Sequence, residues 1–518
     1  MIEKIIKAVK SGNKKRGRNI TIGAVVGFLL SCTAVMGEDN YLWIKNDGGI
    51  KFSADNNTPP ASTDNPYDEN TWNGIDYINN ITLSGTNNLT ASEGYGLRLS
   101  EDLGNFNFIN NGVITGTGRA GNGISNGGSI GTLTNIGLIT VESESDSNGI
   151  YSDSTIKVLA NNGLIVAKST NNGYGIYNDF DDASIENLIN RGLIIGYGYY
   201  ESSGIYNCVS IENLINRGLI MGYDYGIVNV GVAVIEILTN GGLITGYRTG
   251  IDNYGSIEIL TNGGLITGTS AGIYNVAGIY NVGSIETLTN AGIVYGKNYA
   301  ISNSGDINSA YNYGILANGV DNSVLNGLTA VDALPDDTDS RKNKILNRGL
   351  IFTALGTGVY KAETEDYKKF GKIYKEEKYT VINAKAIGID KDNITGTESL
   401  TLEDGKLTYY DSEETSYKEE SISLDKKYIL NGITDTLKVA GTGNELNNSA
   451  VNAYKTAVVM DKDMSTLTLN DTTVSVGVLE GSAVNISGNG NTLAVQGNST
   501  INSNATAITV GETIMLLF

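Results

Sequence analysis

Two catalytic patterns are present in the sequence by spacing alone. Residues 268–272 match the Gly-x-Ser-x-Gly pattern of a nucleophile elbow, with Ser270 at its centre. The chain contains no His, so this serine has no imidazole base, and no strand-to-helix turn is predicted around it. Residues 116–121 match a Gly-x-Gly-x-x-Gly fingerprint, but no helix is predicted to follow and point its N-terminus at a phosphate. Both segments are therefore predicted to be turns.

Clustered aspartates could bind a metal ion, because carboxylate oxygens are the ligands that Ca²⁺ prefers. The two clusters are Asp179, Asp181 and Asp182, and Asp336, Asp337 and Asp339. The Gly-Gly-x-Gly-x-Asp calcium repeat of secreted toxins is missing from the chain. We therefore interpret both clusters as solvated acidic loops and predict no metal site.

Paired carboxylates carry out the acid–base chemistry of glycan-cleaving enzymes, some of which are β-helices. No pair of acids in this sequence stands apart from the loops or from the repeat described below. We therefore expect no catalytic residue, no cofactor and no enzymatic activity. A degenerate polysaccharide lyase or hydrolase is the least favoured alternative.

A regular row of glutamates occupies the same place in successive repeats, beside an inward Ile. The row consists of Glu186, Glu212, Glu236, Glu258 and Glu286. Like charges stacked at this spacing repel each other and cost some stability. Solubility is the simple explanation for the row, and a cation-binding or partner-facing ridge is the alternative.

The elements that carry these residues are copies of one repeated phrase between Gly94 and about Phe352. In its clearest copy, residues 250–268, short β-branched runs alternate with Gly and Asn. The Gly of its Asn-x-Gly element recurs every 22 to 29 residues, at Gly112, Gly137, Gly163, Gly192, Gly218, Gly242, Gly264 and Gly292. This unit fits three short strands and three turns without a helix. The sequence therefore predicts an all-β fold, a right-handed parallel β-helix.

The two-residue period of a strand separates inward from outward positions in each copy. Ile257, Leu260, Asn262 and Ile266 have aliphatic or Asn equivalents in nearly every copy and are predicted to point inward, with a bend between Ile257 and Leu260. Stacked coils lie about 4.8 Å apart, so equivalent asparagines can form hydrogen-bonded ladders. The first predicted ladder is Asn135, Asn190, Asn216, Asn240, Asn262 and Asn290. The second is Asn178, Asn207, Asn229, Asn253, Asn275 or Asn281, and Asn303. We assign both ladders a structural role.

Adjacent aliphatic pairs, such as Leu265 with Ile266 and Leu193 with Ile194, also recur. One member of each pair must face outward in a regular strand. The outward members would form an aliphatic stripe along the rod, which monomers seldom leave bare. We predict that the insertion described below, a partner or a sister rod covers it, unless a bend at Gly turns both members inward.

The composition divides the chain into five regions. Residues 1–37 have a basic start and a short apolar run, and residues 38–93 form an N-terminal cap that includes Trp43 and Trp72. The repetitive β-helix spans 94–357. Residues 358–430 are rich in Lys, Glu and Tyr and are predicted to form a charged β insertion that protrudes from the rod. From 431 to 518 the solenoid is predicted to continue.

The first region is predicted to be a signal peptide, since its apolar run from Ile20 to Leu30 is too short to span a membrane. Cleavage after Gly37 is the favoured reading. The alternative is lipid anchoring at Cys32, which follows a lipobox-like run. The net charge of −20 becomes more negative without the basic segment, so nucleic acid is not an expected partner.

A basic signal followed by Asn-x-Gly-x-Ile and Gly-Ile-Tyr-Asn coils resembles the passenger region of Gram-negative type V autotransporters. The resemblance covers the signal, residues 94–352 and, more weakly, 431–518. It implies export to the outer membrane, the cell surface or the extracellular space through an outer-membrane translocator barrel. The segment after Leu430 is too short for such a barrel. Either the chain is truncated at Phe518 or the barrel lies elsewhere.

The function that the resemblance implies is that of a non-catalytic adhesin or display stalk, with a host cell or matrix receptor that the sequence does not identify. Its affinity is expected to reside in the loops and the charged insertion. A purely structural surface-layer stalk is the main alternative.

Overall fold

The structure is a computed structural model. It describes residues 40–517 except for 56–57, 87–93, 180–182, 276–282, 357, 363–365, 391–392, 478–480 and 512–513. The predicted signal peptide, including Cys32, lies outside the described residues.

The chain forms a parallel β-solenoid of about 15 turns, with 61% strand and 2% helix. Short β-branched runs produce the strands, and Gly and Asn interrupt them every few residues, so that no helix can propagate. The predicted all-β fold class is confirmed. The coils are divided between two stacks, each with its own apolar core. We call these stacks the first and the second solenoid.

Three sheets, A, B and C, form the sides of the first solenoid, and the chain visits them in that order in every coil. Sheet A contains β1 (Leu42–Asn46), β2 (Ile50–Ser53), β6 (Gly94–Ser100), β9 (Gly121–Gly127), β12 (Ser147–Ser152), β15 (Gly173–Asn178), β18 (Ser203–Asn207), β21 (Tyr225–Asn229), β24 (Thr249–Asn253), β27 (Ala271–Asn275), β30 (Tyr299–Asn303) and β33 (Leu325–Asn326). Sheet B contains β3 (Thr71–Trp72), β4 (Asp76–Asn79), β7 (Asn107–Asn110), β10 (Ile130–Asn135), β13 (Ile156–Asn161), β16 (Ser184–Asn190), β19 (Ser210–Asn216), β22 (Val234–Asn240), β25 (Ser256–Asn262), β28 (Ser284–Asn290), β31 (Asp306–Asn312), β34 (Thr329–Val331) and β35 (Lys344–Asn347). Sheet C contains β5 (Thr82–Thr86), β8 (Val113–Gly118), β11 (Leu138–Ser143), β14 (Leu164–Ser169), β17 (Leu193–Tyr197), β20 (Leu219–Gly222), β23 (Leu243–Gly246), β26 (Leu265–Gly268), β29 (Ile293–Gly296), β32 (Ile315–Asn318), β36 (Leu350–Ala354), β37 (Tyr360–Ala362) and β41 (Asn393–Ile394).

The second solenoid also has three sheets, D, E and F. Sheet D contains β38 (Ile373–Lys375), β39 (Thr380–Asn383), β46 (Tyr428–Gly432), β49 (Ala450–Ala453), β52 (Thr473–Val476) and β55 (Thr500–Ser503). Sheet E contains β43 (Leu400–Glu403), β44 (Lys406–Asp411), β45 (Ser416–Ser421), β47 (Asp435–Ala440), β50 (Thr456–Met460), β53 (Ser482–Ile486) and β56 (Thr506–Val510). Sheet F contains β48 (Asn444–Asn447), β51 (Thr466–Asn470), β54 (Asn491–Gln496) and β57 (Ile514–Leu517). A small pair, β40 (Ala386–Ile387) and β42 (Gly396–Thr397), a helix α1 (Thr338–Arg341) and a 3-10 turn (Asp366–Lys369) complete the described elements.

The core of the first solenoid follows the predicted parity. Ile257, Leu260, Asn262 and Ile266 are all fully buried. The bend between the first two leaves the side chains of Glu258 and Ile259 exposed. The inward positions predicted from the repeat are confirmed.

The N-terminal end is covered by antiparallel strands. β2 pairs with β1, and β3 pairs with β4, while β1 and β4 are themselves parallel to the coil that follows them. Trp72 packs against Phe52 and Phe106, with ring centroids 5.4 and 5.6 Å apart. Part of the region predicted as a cap, residues 38–93, is therefore already a coil of the solenoid.

The region predicted as an insertion, residues 358–430, has two structural roles. β39 and β43 belong to the second solenoid, because they are parallel to β46 and β47. β44 and β45 instead extend sheet E as an antiparallel hairpin. This hairpin continues sheet E past β43, so part of the region predicted as an insertion is a coil of the second solenoid and part is an antiparallel extension.

The predicted continuation after residue 431 is a solenoid, but it lies beside the first stack rather than on its end. Side-chain amides of sheet D donate to backbone carbonyls of the first solenoid at distances of 2.8 to 2.9 Å. The pairs are Asn383 to Arg348, Asn431 to Tyr313, Asn452 to Ala291, and Asn502 to Gly241. Residue numbers rise on one side and fall on the other, so the second solenoid runs back along the first.

This packing covers part of the predicted aliphatic stripe, whose members are the first residues of the sheet C strands. Leu265, Ile293, Ile315 and Leu350 are fully buried, in a cluster with Ile433 and Tyr454 of the second solenoid. Leu138, Leu164, Leu193 and Leu219 occupy the same position in earlier coils and are half-buried. Over these later coils the cover comes from the same chain. The region predicted as an insertion supplies part of it, as we expected, through Tyr360, Phe370 and Ile394, and the second solenoid supplies the rest.

Candidate functional site

The first predicted ladder is a continuous hydrogen-bonded column. In each step the Nδ2 of one Asn donates to the Oδ1 of the next, at 2.8 or 2.9 Å. The column contains the predicted Asn135, Asn190, Asn216, Asn240, Asn262 and Asn290, and also Asn79, Asn110, Asn161, Asn312 and Asn347. Most of these amides also donate to a nearby backbone carbonyl, as Asn262 does to Ile293. The geometry is that of a structural spine, since buried amides are costly unless they are paired.

The second predicted ladder is described from Asn178 to Asn253. Asn178, Asn207, Asn229 and Asn253 form successive bonds of 2.8 to 2.9 Å. The side chain of Asn275 and all of Asn281 lie outside the described residues. Asn303 donates to the Oδ1 of Asn343 at 2.9 Å. Asn343 precedes β35 and is not at the ladder position of its own coil, but it accepts the bond that a ladder Asn would accept.

The predicted acidic row lies in one column of sheet B. The strand register aligns all five glutamates, with Lys157 before Glu186 and Asn308 after Glu286. Glu236, Glu258 and Glu286 are exposed, whereas Glu186 and Glu212 are half-buried. No group of three or more possible metal-binding side chains occurs in the part of the chain that the structure describes.

The other motifs are parts of turns. Ser270 lies between β26 and β27, where its N–H donates to the carbonyl of Arg248 at 2.7 Å. Residues 116–121 join β8 to β9 with no helix between them. Asp337 caps α1 by accepting a hydrogen bond of 2.8 Å from the N–H of Ser340. Asp181 and Asp182 lie outside the described residues.

The hairpin of β44 and β45 carries a cluster that the sequence did not single out. β44 follows β43 through the two-residue turn Asp404–Gly405, in which both residues have positive φ as a type I′ hairpin requires. β45 is the edge strand of sheet E. Its charged side chains suit an edge that must not pair with other chains.

Four side chains meet beside the turn between β44 and β45 and line a small pocket, which we call the hairpin cluster: Lys385, Glu398, Tyr410 and Tyr417. Lys385 Nζ lies 2.9 Å from Glu398 Oε1, and the Tyr417 hydroxyl donates to Glu398 Oε2 at 2.5 Å. The Lys385 ammonium also lies 4.4 Å from the centre of the Tyr410 ring. Tyr417 is 61% exposed, so the cluster is open to a partner.

The hydrogen bonds of the cluster fix its charges. The bond from Tyr417, followed by that from Lys385, lowers the pKa of Glu398 below its usual value. The bond to Glu398 raises the pKa of Lys385. The cluster therefore presents a paired cation and anion beside two aromatic rings.

Sequence reasoning missed the cluster because its members lie on separate elements. Lys385 precedes β40, Glu398 follows β42, and the two tyrosines belong to β44 and β45. The only available signal was the Lys, Glu and Tyr content of residues 358–430.

Together these features define the chain as a parallel β-solenoid of two side-by-side stacks with a projecting charged hairpin. Comparison with known proteins gave no match to any family model, curated protein or solved structure. Among the described residues, no helix is long and apolar enough to cross a membrane.

Proposed function

We propose that the protein is a non-catalytic, surface-displayed passenger that acts as an adhesin or display stalk. Its two solenoids would form a stiff body, and the hairpin would contact a host cell or matrix receptor. The observation that carries the proposal is the hairpin itself, because it extends sheet E beyond the stacked coils and keeps Tyr417 exposed.

Export is part of the same proposal. It would proceed through the signal peptide and an outer-membrane translocator barrel, as the resemblance to autotransporter passengers implies. The net charge of −20 supports a role at a hydrated surface and argues against nucleic acid as the ligand.

The charges of the hairpin cluster suit a polar protein or matrix partner. Tyr is enriched at binding hot spots, where its ring supplies contact area, and the ion pair beside it would supply direction. The half-exposed Lys385–Glu398 pair adds little stability to the fold, so its value would lie in recognition.

The test is a variant of the full chain in which the exposed cluster residues are changed, Tyr417→Ala with Glu398→Gln. Attachment of the purified protein to cultured epithelial cells and to immobilised collagen or fibronectin would be compared with the wild type. We expect attachment to fall at least fivefold while the thermal unfolding midpoint stays within a few degrees.

The matched control is Ile75→Ala, which removes an apolar side chain of similar exposure, 56% against 61% for Tyr417, from the N-terminal end of the first solenoid. Attachment that is unaffected by the cluster variant would overturn the assignment of the site to the hairpin. A wild type that attaches to no surface would favour the purely structural stalk, and release of sugars from a matrix glycan would favour the enzymatic alternative.

A further inference from the structure

One corner of the first solenoid carries a second unusual surface, between sheets C and A. Tyr197, Tyr223 and Tyr247 occupy equivalent positions in three successive coils, as the register of β17, β20 and β23 shows. We call them the tyrosine ladder. The ring centroids of the first two are 5.1 Å apart, and those of the last two are 6.0 Å apart and nearly parallel.

The ladder is exposed. The side chains of its members are 40, 42 and 65% accessible. The loop between β17 and β18 adds Tyr199 and Tyr200, which are 77 and 61% accessible. Contact of large aromatic rings with water is unfavourable. A group of exposed rings therefore marks a surface that binds a ligand or a partner.

The remaining coils do not share this feature. In the same column the register places Lys168 before the ladder and Thr269 and Lys297 after it. The turn therefore needs no aromatic residue to form. The repeat therefore does not explain why three successive coils carry Tyr at this position.

The charged groups beside the ladder include two ion pairs and the exposed Glu201. Arg248 Nε lies 3.0 Å from Asp224 Oδ1, with Asp224 buried and Arg248 exposed. Lys168 Nζ lies 2.7 Å from Glu142 Oε1 at one end of the row. A charged ligand would gain little from such pairs, whereas hydroxyl groups could bond to the exposed Arg248 donors and to the tyrosine hydroxyls.

We propose that the tyrosine ladder binds a neutral oligosaccharide chain. Its rings would face the C–H bonds of successive sugar rings, since the electron-rich face of an aromatic ring attracts positively polarised hydrogens. Two coil steps of about 4.8 Å give a row about 10 Å long, which suits two or three sugar units lying along the rod. A narrow row of this kind fits a linear polymer better than the broad apolar patch of a protein interface.

The site is separate from the hairpin and does not depend on the function proposed for it. It contacts no residue of the hairpin cluster within the described structure. A variant of the hairpin cluster should therefore keep its affinity for glycans, which distinguishes the failure of one proposal from that of the other.

The test measures binding of the full-length chain to neutral linear hexasaccharides of glucose, mannose and N-acetylglucosamine by isothermal titration calorimetry. We expect at least one of the three to bind. Tyr223→Ala with Tyr247→Ala should weaken that binding about tenfold, from the loss of two ring contacts. Tyr223→Phe should retain most of it, and raised salt should have little effect because the ligand is uncharged.

Ile259→Ala is the matched control, since it removes an exposed apolar side chain of the same solenoid from sheet B. Unfolding midpoints of all variants should stay near that of the wild type, because the altered side chains are exposed. Absence of binding to all three hexasaccharides would overturn the proposal. Equal binding by the double variant, or binding to polyanionic glycans alone, would also overturn it.

Discussion

Asn262 shows how a single side chain links three coils. It accepts a hydrogen bond from Asn240 and donates one to Asn290, both at 2.8 Å, in a site closed to solvent. Replacing it with Leu would remove the donor to the buried Asn290 Oδ1 and to the Ile293 carbonyl, whereas the Asn240 amide would keep its bonds to the Gly242 and Leu265 carbonyls. An unpaired buried group costs about 1–3 kcal/mol.

Asn262→Leu should therefore lower the free energy of unfolding by about 2–4 kcal/mol, as measured by urea denaturation monitored by circular dichroism. The matched control is Asn162→Leu, at an exposed Asn next to the ladder, which should cost about 0.5 kcal/mol or less. Equal losses for the two variants would contradict the structural role of the ladder.

Ionisation of the buried Asp252 side chain lowers the stability of the folded state. Its side chain is only 2% exposed, and Oδ1 has no hydrogen-bond partner in the described structure. Burial, helped by the charge of Glu201 and opposed by Arg248, raises the pKa of Asp252 to about 7. In the unfolded chain the pKa is about 4. The carboxyl therefore favours the folded state when it is protonated, and this contribution is lost as the pH rises from about 4 through about 7.

Asp252→Asn should consequently gain stability relative to the wild type over that range of pH. The difference between the two unfolding free energies should grow by up to about 1.4 kcal/mol per pH unit and become constant above about pH 7. Urea denaturation at several pH values measures it, with the exposed Asp336→Asn as the control. A difference that does not change with pH would show that Asp252 ionises normally.

Much of the residue-scale pattern was predictable. The period of two placed Leu260, Asn262 and Ile266 inward, because the side chains of a strand alternate between its two faces. The hairpin cluster was not predictable. Lys385 and Tyr417 lie far apart in the sequence, and the antiparallel pairing of β43 with β44 and of β44 with β45 brings Tyr417 to its place. The tyrosine ladder was visible as three aligned residues, but its exposure depends on which corner the second solenoid leaves open.

At the scale of elements, sheets C and D form the contact that holds the two stacks together. The outward leucines of sheet C are equivalent by sequence, yet only those opposite sheet D are fully buried. Chemically identical substitutions should therefore have different costs along the stripe, because the amount of buried apolar surface differs.

Leu265→Ala should lower the free energy of unfolding by about 2–5 kcal/mol, as expected for a filled core position. Leu193→Ala, at the equivalent half-buried position, should cost about 1 kcal/mol. Urea denaturation of both variants provides the comparison. A loss at Leu193 equal to that at Leu265 would show that the second solenoid does not cover this part of sheet C.

The docking itself could not be read from the repeat. The asparagines of sheet D that reach the first solenoid are Asn383, Asn431, Asn452 and Asn502, and their spacing is irregular because the hairpin and loops of different length separate them. The aliphatic stripe did predict that something must cover sheet C. It did not specify that the cover is the end of the same chain.

For the whole molecule, folding back turns one long rod into a shorter and thicker one. Each coil of the first solenoid touches mainly its neighbours, so its stability is close to a sum of local terms. The side-by-side contact adds links between residues more than 200 positions apart, as between Asn502 and Gly241. A doubled rod resists bending better than a single stack of the same coils, which suits a stalk that must hold a binding surface away from its anchor.

The direction of the second solenoid decides which coils of the two stacks lie side by side, and a pair of distances measures it. Lys438 and Thr509 lie in the same column of sheet E, three coils apart. Spin labels would be attached to cysteines at Glu236 and either Lys438 or Thr509, in a background in which Cys32 and Cys208 are both replaced by Ser, and the distances between them would be measured by double electron–electron resonance. Because the coil of Asn502 lies beside Gly241, the Glu236–Thr509 distance should be the shorter of the two. A single continuous rod would reverse the order, with the Glu236–Thr509 distance longer by about 14 Å for three coils of about 4.8 Å each, and that result would contradict the structure.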